Sequence, residues 1–258
     1  MNRMKDRIVV ITGASAGIGQ ACAERFAAAG ARLVLAARRA DRLEALVAGL
    51  RDAGAASVDV FTLDVRDAAA VAAFGDALEA RGLVPHVLVN NAGLAAGLDK
   101  LHEGSVDDWD RMIDTNVRGL LLVSRRLIPA MLAAGRGHVI NIGSIAGRQV
   151  YPNGNVYNAT KFAVRALTEG MNMDLYGTPL RVSCVSPGLV ETEFSLVRFH
   201  GDAGRAAQVY ANTQPLTPAD IADAVHYVAN APEHVNVLDM IVLPTVQRSA
   251  TMLLRSTP

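Results

Sequence analysis

Short runs of apolar residues recur along the chain, separated by longer stretches in which apolar residues are spaced as on one face of a helix. The runs are rich in Val, Ile and Leu and do not alternate with polar residues, which is typical of strands covered on both faces. They lie at residues 7–11, 32–36, 57–61, 86–89, 138–142, 181–185 and 238–243. Helical spacing extends over residues 17–29, 41–53, 67–80, 106–133, 156–176 and 218–230. This alternation predicts an α/β fold, a doubly wound parallel sheet of about seven strands with helices on both faces.

The long connection after the sixth strand lacks a clear period. No linker rich in Pro, Ser or Gly and no internal repeat divides the sequence, so we expect residues 1–258 to form a single domain. Ligands of open parallel sheets bind beyond the carboxyl ends of the strands. The segment at about 187–214 is therefore predicted to be a substrate lid.

Composition narrows the range of partners. The chain has 258 residues with 25 Lys and Arg against 25 Asp and Glu, so no net charge attracts nucleic acid or an anionic membrane. Hydrophobic residues make up 51% of the chain and charged residues 19%, which excludes a disordered protein. The only cysteines, Cys22 and Cys184, lie in apolar surroundings, and no Cys, His and carboxylate cluster predicts a metal site. With no apolar run of roughly 18 residues and no signal peptide, we expect a cytoplasmic protein.

A glycine-rich sequence, T-G-A-S-A-G-I-G at 12–19, follows the first predicted strand and opens a helix. Glycine lets the backbone turn sharply and approach a pyrophosphate, which the free N–H groups of a helix N-terminus stabilise. The loop predicts a dinucleotide site at Gly13, Ser15, Gly17, Ile18 and Gly19. A simple tight turn is the alternative, since the G-x-x-x-G-x-G spacing differs from the commonest dinucleotide fingerprint.

The second and third strands end in residues suited to the adenosine part of a dinucleotide. Arg38 and Arg39 stand where an NAD-selective protein carries an acidic residue, and their guanidinium groups suit a 2′-phosphate, which favours NADP. Solvated arginines at the start of a surface helix are the alternative. Asp64 is placed to accept a hydrogen bond from the adenine amino group beside the Val65 backbone, unless it only caps a helix.

The fourth strand ends in N-N-A-G, from which Asn90, Ala92 and Gly93 are assigned to the same cofactor site. Asn and Gly tolerate the irregular backbone that close approach to a cofactor needs.

Tyr157 and Lys161 are four residues apart on one predicted helix, so their side chains share a face. A neighbouring ammonium group favours the phenolate and makes the phenol a better base near neutral pH. Ser144 follows the fifth strand, where its hydroxyl can donate to a substrate oxygen. Asn116 lies inside the long predicted helix, where its amide can distort the helical turn or hold a water molecule.

In their order and separation these motifs resemble the short-chain dehydrogenase/reductase family over essentially the whole chain. The resemblance implies a Rossmann-type domain in which Tyr157 is the general acid/base and Ser144 orients the substrate oxygen. It also implies that Lys161 binds the nicotinamide ribose and lowers the tyrosine pKa, while Asn116 holds a water molecule of a proton relay. The residues expected to cover the nicotinamide are Pro187, Gly188, Val190 and Thr192.

Several stretches outside the catalytic motifs, among them P-G-L-V-E-T-E-F-S-L-V-R-F and L-T-P-A-D, resemble the NADP-dependent 3-hydroxy acid (serine or L-allo-threonine) dehydrogenases. A small anionic substrate needs a cation in its pocket. Arg198 in the lid and then Arg148 are the candidates. Glu193 would repel such a substrate unless it pairs with an arginine or receives an amino group.

Other functions remain open at this point. Close relatives of this group reduce other small carbonyl compounds, including sulfoacetaldehyde or a neutral ketone. A reductase of lipophilic ketones or steroids would have a more apolar lid, and a non-catalytic NADP sensor would not need the Ser, Tyr, Lys and Asn set. The resemblance also implies a homotetramer, to which the C-terminal apolar stretch can contribute.

Overall fold

Seven parallel strands form one sheet in the computed structural model, which describes residues 2–256. The strands are β1 (Ile8–Thr12), β2 (Arg32–Ala37), β3 (Ser57–Thr62), β4 (Val87–Asn90), β5 (Gly137–Ile142), β6 (Leu180–Pro187) and β7 (Asp239–Val242). Their order across the sheet is β3-β2-β1-β4-β5-β6-β7. The chain thus winds in one direction from β1 to β3 and in the other from β4 to β7. This reversal leaves a crevice at the carboxyl ends of β1 and β4, where open sheets bind ligands.

Helices cover both faces of the sheet, which confirms the predicted architecture. They are α1 (Gly17–Ala28), α2 (Ala40–Asp52), α3 (Ala68–Ala80), α4 (Val106–Ile113), α5 (Leu120–Ala133), α6 (Asn155–Asp174), α7 (Phe194–Arg198), α8 (Ala203–Tyr210) and α9 (Pro218–Ala229). Val9 and Ile11 of β1 pack with α1, α2 and α9 in one core, whereas Ile8 and Val10 face the core that contains α3 and α5. The strands lack polar alternation because each face meets a helical layer.

Two predicted elements differ from the structure. The helix expected over 106–133 is interrupted by a wide π-helical turn at Asp114–Gly119, between α4 and α5. The buried Asn116 lies in this turn, in agreement with the predicted distortion, and its amide bonds to groups outside the helix. The segment at about 187–214, predicted to be an irregular lid, contains the short helices α7 and α8. Both are too short for their periodicity to stand out in the sequence.

Across residues 2–256, none of the helices combines the length and the apolar character that crossing a membrane requires. The same part of the chain brings no three His, Cys, Asp or Glu side chains together in a way that would hold a metal ion. Cys22 and Cys184 are buried free thiols.

Candidate active site

A cavity of about 550 Å³ opens at the carboxyl ends of the strands, beside the crevice between β1 and β4. It brings together most of the residues that the sequence assigned to cofactor and substrate. Those in its wall are Gly13, Ser15, Gly17, Ile18, Arg38, Arg39, Asp64, Val65, Ala92, Gly93, Ser144, Tyr157, Lys161, Pro187, Gly188, Val190, Thr192 and Arg198. Four of the assigned residues are not part of this wall: Gly19, Asn90, Asn116 and Arg148.

The glycine-rich loop comes close to the backbone of the loop after β4. Gly13 has a φ of +66°, and a Cβ added there would lie 2.9 Å from the Cα of Ala92. A Cβ on Gly19 would lie within 2.4 Å of the Gly13 carbonyl oxygen, so Gly19 packs behind the loop. Helix α1 begins at Gly17 without a side-chain cap. Its first N–H groups therefore remain free for an anion, as a pyrophosphate site requires.

The two asparagines at the end of β4 have different roles from those predicted. Asn90 is buried, and its side-chain amide donates to Ser124 Oγ and Asn141 Oδ1 at 2.9 Å each. Asn141 in turn donates to Thr168 Oγ1 at 3.0 Å. The Asn90 side chain therefore holds β4 to α5 and β5 and is not part of the cavity wall. A contact of the Asn90 backbone with the cofactor stays a prediction.

Asn91, which the sequence analysis omitted, lines the cavity instead. Its side-chain amide donates to the Thr12 and Gly13 carbonyl oxygens at 2.9 and 3.2 Å, and its backbone N–H donates to Thr12 Oγ1 at 3.1 Å. The predicted apolar run ends at residue 89, but β4 continues through Asn90. Asn91 is therefore the first residue to leave the strand, and the sequence alone did not distinguish the two asparagines.

Three arginines gather where β2 runs into α2. Arg38 and Arg39 lie in the cavity wall, and Arg39 Nε donates to Ser15 Oγ at 3.2 Å. Arg39 Nη1 and Arg42 Nη1 donate to the two carboxylate oxygens of Glu193, at 2.9 and 2.7 Å. These bonds hold the pKa of Glu193 below its usual range, with Arg42 the larger cause and Arg39 the next. Of the alternatives for Glu193, the structure shows pairing with arginine.

Asp64 lies in the cavity wall at the end of β3 and binds Arg66 through both carboxylate oxygens, the shorter contact being 2.6 Å. This hydrogen bonding lowers its pKa. Asp67, not Asp64, caps α3 by accepting from the N–H groups of Ala69 and Ala70. The helix-cap alternative for Asp64 is therefore excluded.

Ser144 and Tyr157 face the cavity from β5 and α6. Ser144 Oγ accepts a hydrogen bond from Ala146 N at 3.1 Å. Burial raises the pKa of Tyr157, while the charge of Arg198 and hydrogen bonding with Ser144 act in the opposite direction. The net direction is upward, and at neutral pH the phenol is protonated.

Lys161 shares a helix face with Tyr157, as its spacing predicts, with Nζ 6.0 Å from the centre of the phenol ring. The ammonium group donates to the Ile142 carbonyl oxygen at 2.9 Å. Burial lowers the pKa of Lys161 to about 8. The charge of Arg198 also acts to lower the pKa of Tyr157, and the expected effect of Lys161 on that pKa stays a prediction.

Asn116 lies behind the cavity and uses its side chain to connect three elements. Its Oδ1 accepts from Leu94 N at 2.8 Å, while its amide nitrogen donates to the Leu94 carbonyl oxygen at 2.8 Å and to Thr160 Oγ1 at 3.0 Å. The side chain thus fixes the loop after Gly93 against α6. Its assignment to a water relay stays a prediction.

Arg198, at the end of α7, lies among aromatic rings. Its Cζ is 5.0 Å from the ring centre of Tyr157, 5.3 Å from that of Phe194 and 5.7 Å from that of Tyr151. Nη2 donates to the Tyr151 hydroxyl at 2.5 Å, and within the described chain Nε is buried without a hydrogen-bond partner. Tyr151 also lines the cavity and was missed, because a single aromatic residue in a loop carries no periodic signal.

Arg148 does not reach the cavity, contrary to the second substrate assignment. Its guanidinium group forms an ion pair with Asp239 at the start of β7. The residue directly follows the turn after Ser144, but its side chain extends toward the next strands of the sheet. The closeness of Arg148 to Ser144 in the sequence therefore wrongly predicted that its side chain enters the substrate pocket.

The C-terminal segment also contributes to the cavity wall, with Gln247, Leu253 and Arg255 among its residues there. Gln247 Oε1 accepts from Leu189 N at 2.8 Å, and Arg255 Nη2 donates to the Val209 carbonyl oxygen at 3.1 Å. The sequence analysis connected this segment only with subunit contacts. Its polar residues bind backbone groups of the predicted lid segment, for which no sequence motif exists.

Known proteins resemble the chain over nearly its whole length. The model of the short chain dehydrogenase family matches residues 7–201. The NADP-dependent 3-hydroxy acid dehydrogenase of Salmonella typhi is 46% identical over 244 residues, which are 94% of this chain and 97% of that protein. The closed form of serine dehydrogenase complexed with NADP+ aligns with a TM-score of 0.90 and 43% identity, over 97% of this chain and 100% of the other. Serine dehydrogenase from Escherichia coli aligns with a TM-score of 0.80 and 38% identity, over 93% and 99%.

Proposed function

The chain belongs to the short-chain dehydrogenase family, and from this premise we propose that it transfers a hydride between NADP and a small 3-hydroxy acid or the corresponding carbonyl acid. Serine, allo-threonine and 3-hydroxypropionate represent the substrate class. The observation that carries this assignment is Arg198, a cation in the cleft wall whose buried Nε has no partner among residues 2–256 and which lies beside Tyr157. A substrate carboxylate would satisfy that donor.

The residues at the other end of the cleft fit NADP. The close approach at Gly13 and the uncapped start of α1 suit a pyrophosphate, and Arg38 and Arg39 suit a 2′-phosphate. When bound, NADP supplies the carbon that accepts or donates the hydride. Thr192 and the residues from Pro187 onward would cover its nicotinamide end.

Tyr157 and Ser144 would act on the substrate oxygen. In the reducing direction the protonated phenol of Tyr157 donates a proton to that oxygen as it gains negative charge. Ser144, whose Oγ is oriented by the Ala146 N–H, donates a hydrogen bond to the same atom. In the oxidising direction Tyr157 must first lose its proton, a step that the charge of Arg198 and the bond from Ser144 favour.

Substrate specificity is tested with Arg198→Gln. A charge-assisted hydrogen bond is worth about 1.5–3 kcal/mol, so the KM for 3-hydroxypropionate should rise roughly 10- to 100-fold. The KM for a neutral secondary alcohol should change far less. Arg205→Gln is the matched control, because Arg205 is a lid arginine that stacks on Phe199. Equal effects of Arg198→Gln on both substrates would contradict an anion site.

The reaction itself is tested by absorbance at 340 nm with NADP and then NAD, using L-serine, L-allo-threonine, 3-hydroxypropionate, isethionate and a neutral secondary alcohol. We expect turnover of the hydroxy acids with NADP. Activity on isethionate alone would indicate the sulfoacetaldehyde reaction instead. Arg38→Gln should weaken NADPH binding about tenfold or more, with little effect on NADH, because only NADPH carries the phosphate.

We also propose that the protein is a homotetramer. Large apolar side chains are exposed along α4, α5 and α6 and just beyond α6: Val106, Ile113, Leu121, Phe162, Met173 and Tyr176. Such residues are typical of subunit contacts. Light scattering after size-exclusion chromatography should give the mass of four chains, and a monomer would contradict the proposal.

A further inference from the structure

A short segment of the lid, residues 192–198, extends from the cofactor end of the cleft to the substrate end. Thr192 packs over the glycine-rich loop, where a Cβ on Gly17 would lie 3.3 Å from Thr192 Cγ2. Phe194 places its ring 5.5 Å from that of Tyr157, and Arg198 ends the segment above the same phenol. The position of this segment therefore decides whether Arg198 lies where a substrate carboxylate can reach it.

Glu193 connects this segment to the opposite side of the cleft. Its two carboxylate oxygens bind Arg39 at 2.9 Å and Arg42 at 2.7 Å. Arg39 also binds Ser15 of the glycine-rich loop. Arg42, on α2, is not among the residues of the cavity wall, and the one side-chain bond recorded for it within residues 2–256 is that to Glu193. Its position suits it to hold Glu193 and not to touch the cofactor.

An ordinary surface ion pair is the simpler interpretation. The side chains of Glu193, Arg39 and Arg42 are 43%, 42% and 45% exposed, and such pairs contribute little to folding stability. The location of these ion pairs gives them a further role, because they join the lid segment to α2 across the mouth of the cleft. Little energy is needed to change the population of such a contact.

The net charge around Glu193 is positive and can balance a phosphate group. Arg38, Arg39 and Arg42 carry three positive charges, and Glu193 neutralises one of them. The two that remain match the charge of about −1.5 to −2 on a phosphate monoester. Arg38 makes no hydrogen bond or ion pair within residues 2–256. Its charge lowers the pKa of Asp64, but that carboxylate is already paired with Arg66, so Arg38 is available to the phosphate. The cluster can therefore hold Glu193 and a 2′-phosphate at the same time.

We propose that Glu193 fastens the lid across the bound cofactor, with Arg42 as a positioning residue, and thereby couples the cofactor site to the substrate position at Arg198. The contact slows cofactor release, since the lid must leave Arg39 and Arg42 before the cleft opens. It also lowers the KM for a carboxylate substrate by keeping Arg198 over Tyr157. This second effect rests on the proposed function, whereas the first does not.

The experiment compares Glu193→Gln and Arg42→Gln with two matched controls. Glu191→Gln removes the same charge from an exposed lid residue, and Arg51→Gln removes an exposed arginine from the same helix as Arg42. Dissociation constants and release rates of NADH and NADPH are measured by fluorescence without substrate. Glu193→Gln should weaken NADH binding about three- to tenfold, from the loss of two exposed ion pairs.

For NADPH the expected loss in Glu193→Gln is smaller, because removing a carboxylate also relieves repulsion of the 2′-phosphate. Arg42→Gln should weaken NADH binding in the same direction as Glu193→Gln. The double variant should be no weaker than Glu193→Gln alone, since both changes break the same contact. The control variants should match the wild type.

Substrate kinetics provide the second measurement. In Glu193→Gln the KM for 3-hydroxypropionate should rise while kcat and the KM for a neutral alcohol stay close to wild type. Unchanged NADH binding in Glu193→Gln, or tighter NADPH binding with NADH unaffected, would overturn the proposal. The latter result would mean that Glu193 competes with the phosphate. If the wild type oxidises no hydroxy acid, the proposed function fails, but cofactor binding still decides the role of Glu193.

Discussion

The buried ammonium group of Lys161 should make the protein less stable near neutral pH than it would be with an uncharged side chain. Lys161 is only 7% exposed, and burial lowers its pKa from 10.5 to about 8. Lys161→Met keeps an unbranched side chain of similar length and removes the charge. We expect this variant to unfold at a higher urea concentration than the wild type at pH 7, while losing activity.

The magnitude follows from the two pKa values. Each tenfold change in proton affinity corresponds to about 1.36 kcal/mol, so the shift from 10.5 to about 8 makes the charged group cost about 3 kcal/mol at pH 7. The variant also loses the hydrogen bond to the Ile142 carbonyl oxygen, which offsets about 1 kcal/mol. The expected net gain at pH 7 is therefore about 2 kcal/mol.

The sign of the pH dependence is specific to this group. Below pH 8 Lys161 is charged in the folded and the unfolded states, so the full cost is present. Between pH 8 and 10.5 the folded protein has released the proton and the unfolded chain has kept it, so wild-type stability increases with pH. At about pH 9.5 the cost falls to about 1.4 kcal/mol, and the advantage of Lys161→Met should nearly disappear.

The assay is urea unfolding of the cofactor-free proteins at pH 7 and 9.5, at one protein concentration because subunit association affects apparent stability. Lys100→Met is the matched control, since the Lys100 side chain is 64% exposed and carries no desolvation cost of this kind. A Lys161→Met variant less stable than wild type at pH 7 would refute the reasoning. So would a stability difference that is the same at both pH values.

Three further results are expected. Tyr157→Phe should lower kcat about 10²- to 10⁴-fold and leave NADPH affinity nearly unchanged, and a much smaller loss of kcat would argue against Tyr157 as the acid/base group. Oxidation of a hydroxy acid should become faster as pH rises from neutrality, because Tyr157 has a raised pKa and must lose its proton, whereas reduction should not gain in this way. Asn90→Ala should cost about 1–3 kcal/mol of folding stability, measured by urea unfolding, because Ser124 Oγ and Asn141 Oδ1 lose the buried donor that they bind. NADPH affinity should stay as in the wild type, and a selective loss of affinity would return Asn90 to the cofactor site.

The strands were predictable because their sequences carry a strong local signal. Uninterrupted apolar runs such as Val9 to Ile11 need both faces covered, and the observed bounds differ from the predicted ones by at most two residues. The glycine-rich loop and the spacing of Tyr157 and Lys161 were equally local. Backbone turns and helix faces depend on residues close in sequence, so they can be recognised from one amino-acid sequence.

The partners of charged side chains were not predictable in the same way. Glu193 meets Arg39 and Arg42, and Arg148 meets Asp239, across elements that come together only when the sheet is assembled. The sequence spacing of these residues contains no information on that distance. The same reason explains why the contact of Arg198 with the Tyr157 ring was not predicted.

The buried polar chain that runs from Ser124 through Asn90 and Asn141 to Thr168 has a consequence for the evolution of the protein. Asn90 and Asn141 are paired across β4 and β5, and each loses a hydrogen bond when the other is replaced. Replacing one of them leaves buried polar groups of the others without a hydrogen-bond partner, whereas replacing the whole set by well-packed apolar residues removes the need for these bonds. Single mutations in this group are therefore selected against even where the combined change would be tolerated. The four residues are expected to change together during divergence or not at all, although none of them touches the ligand cleft.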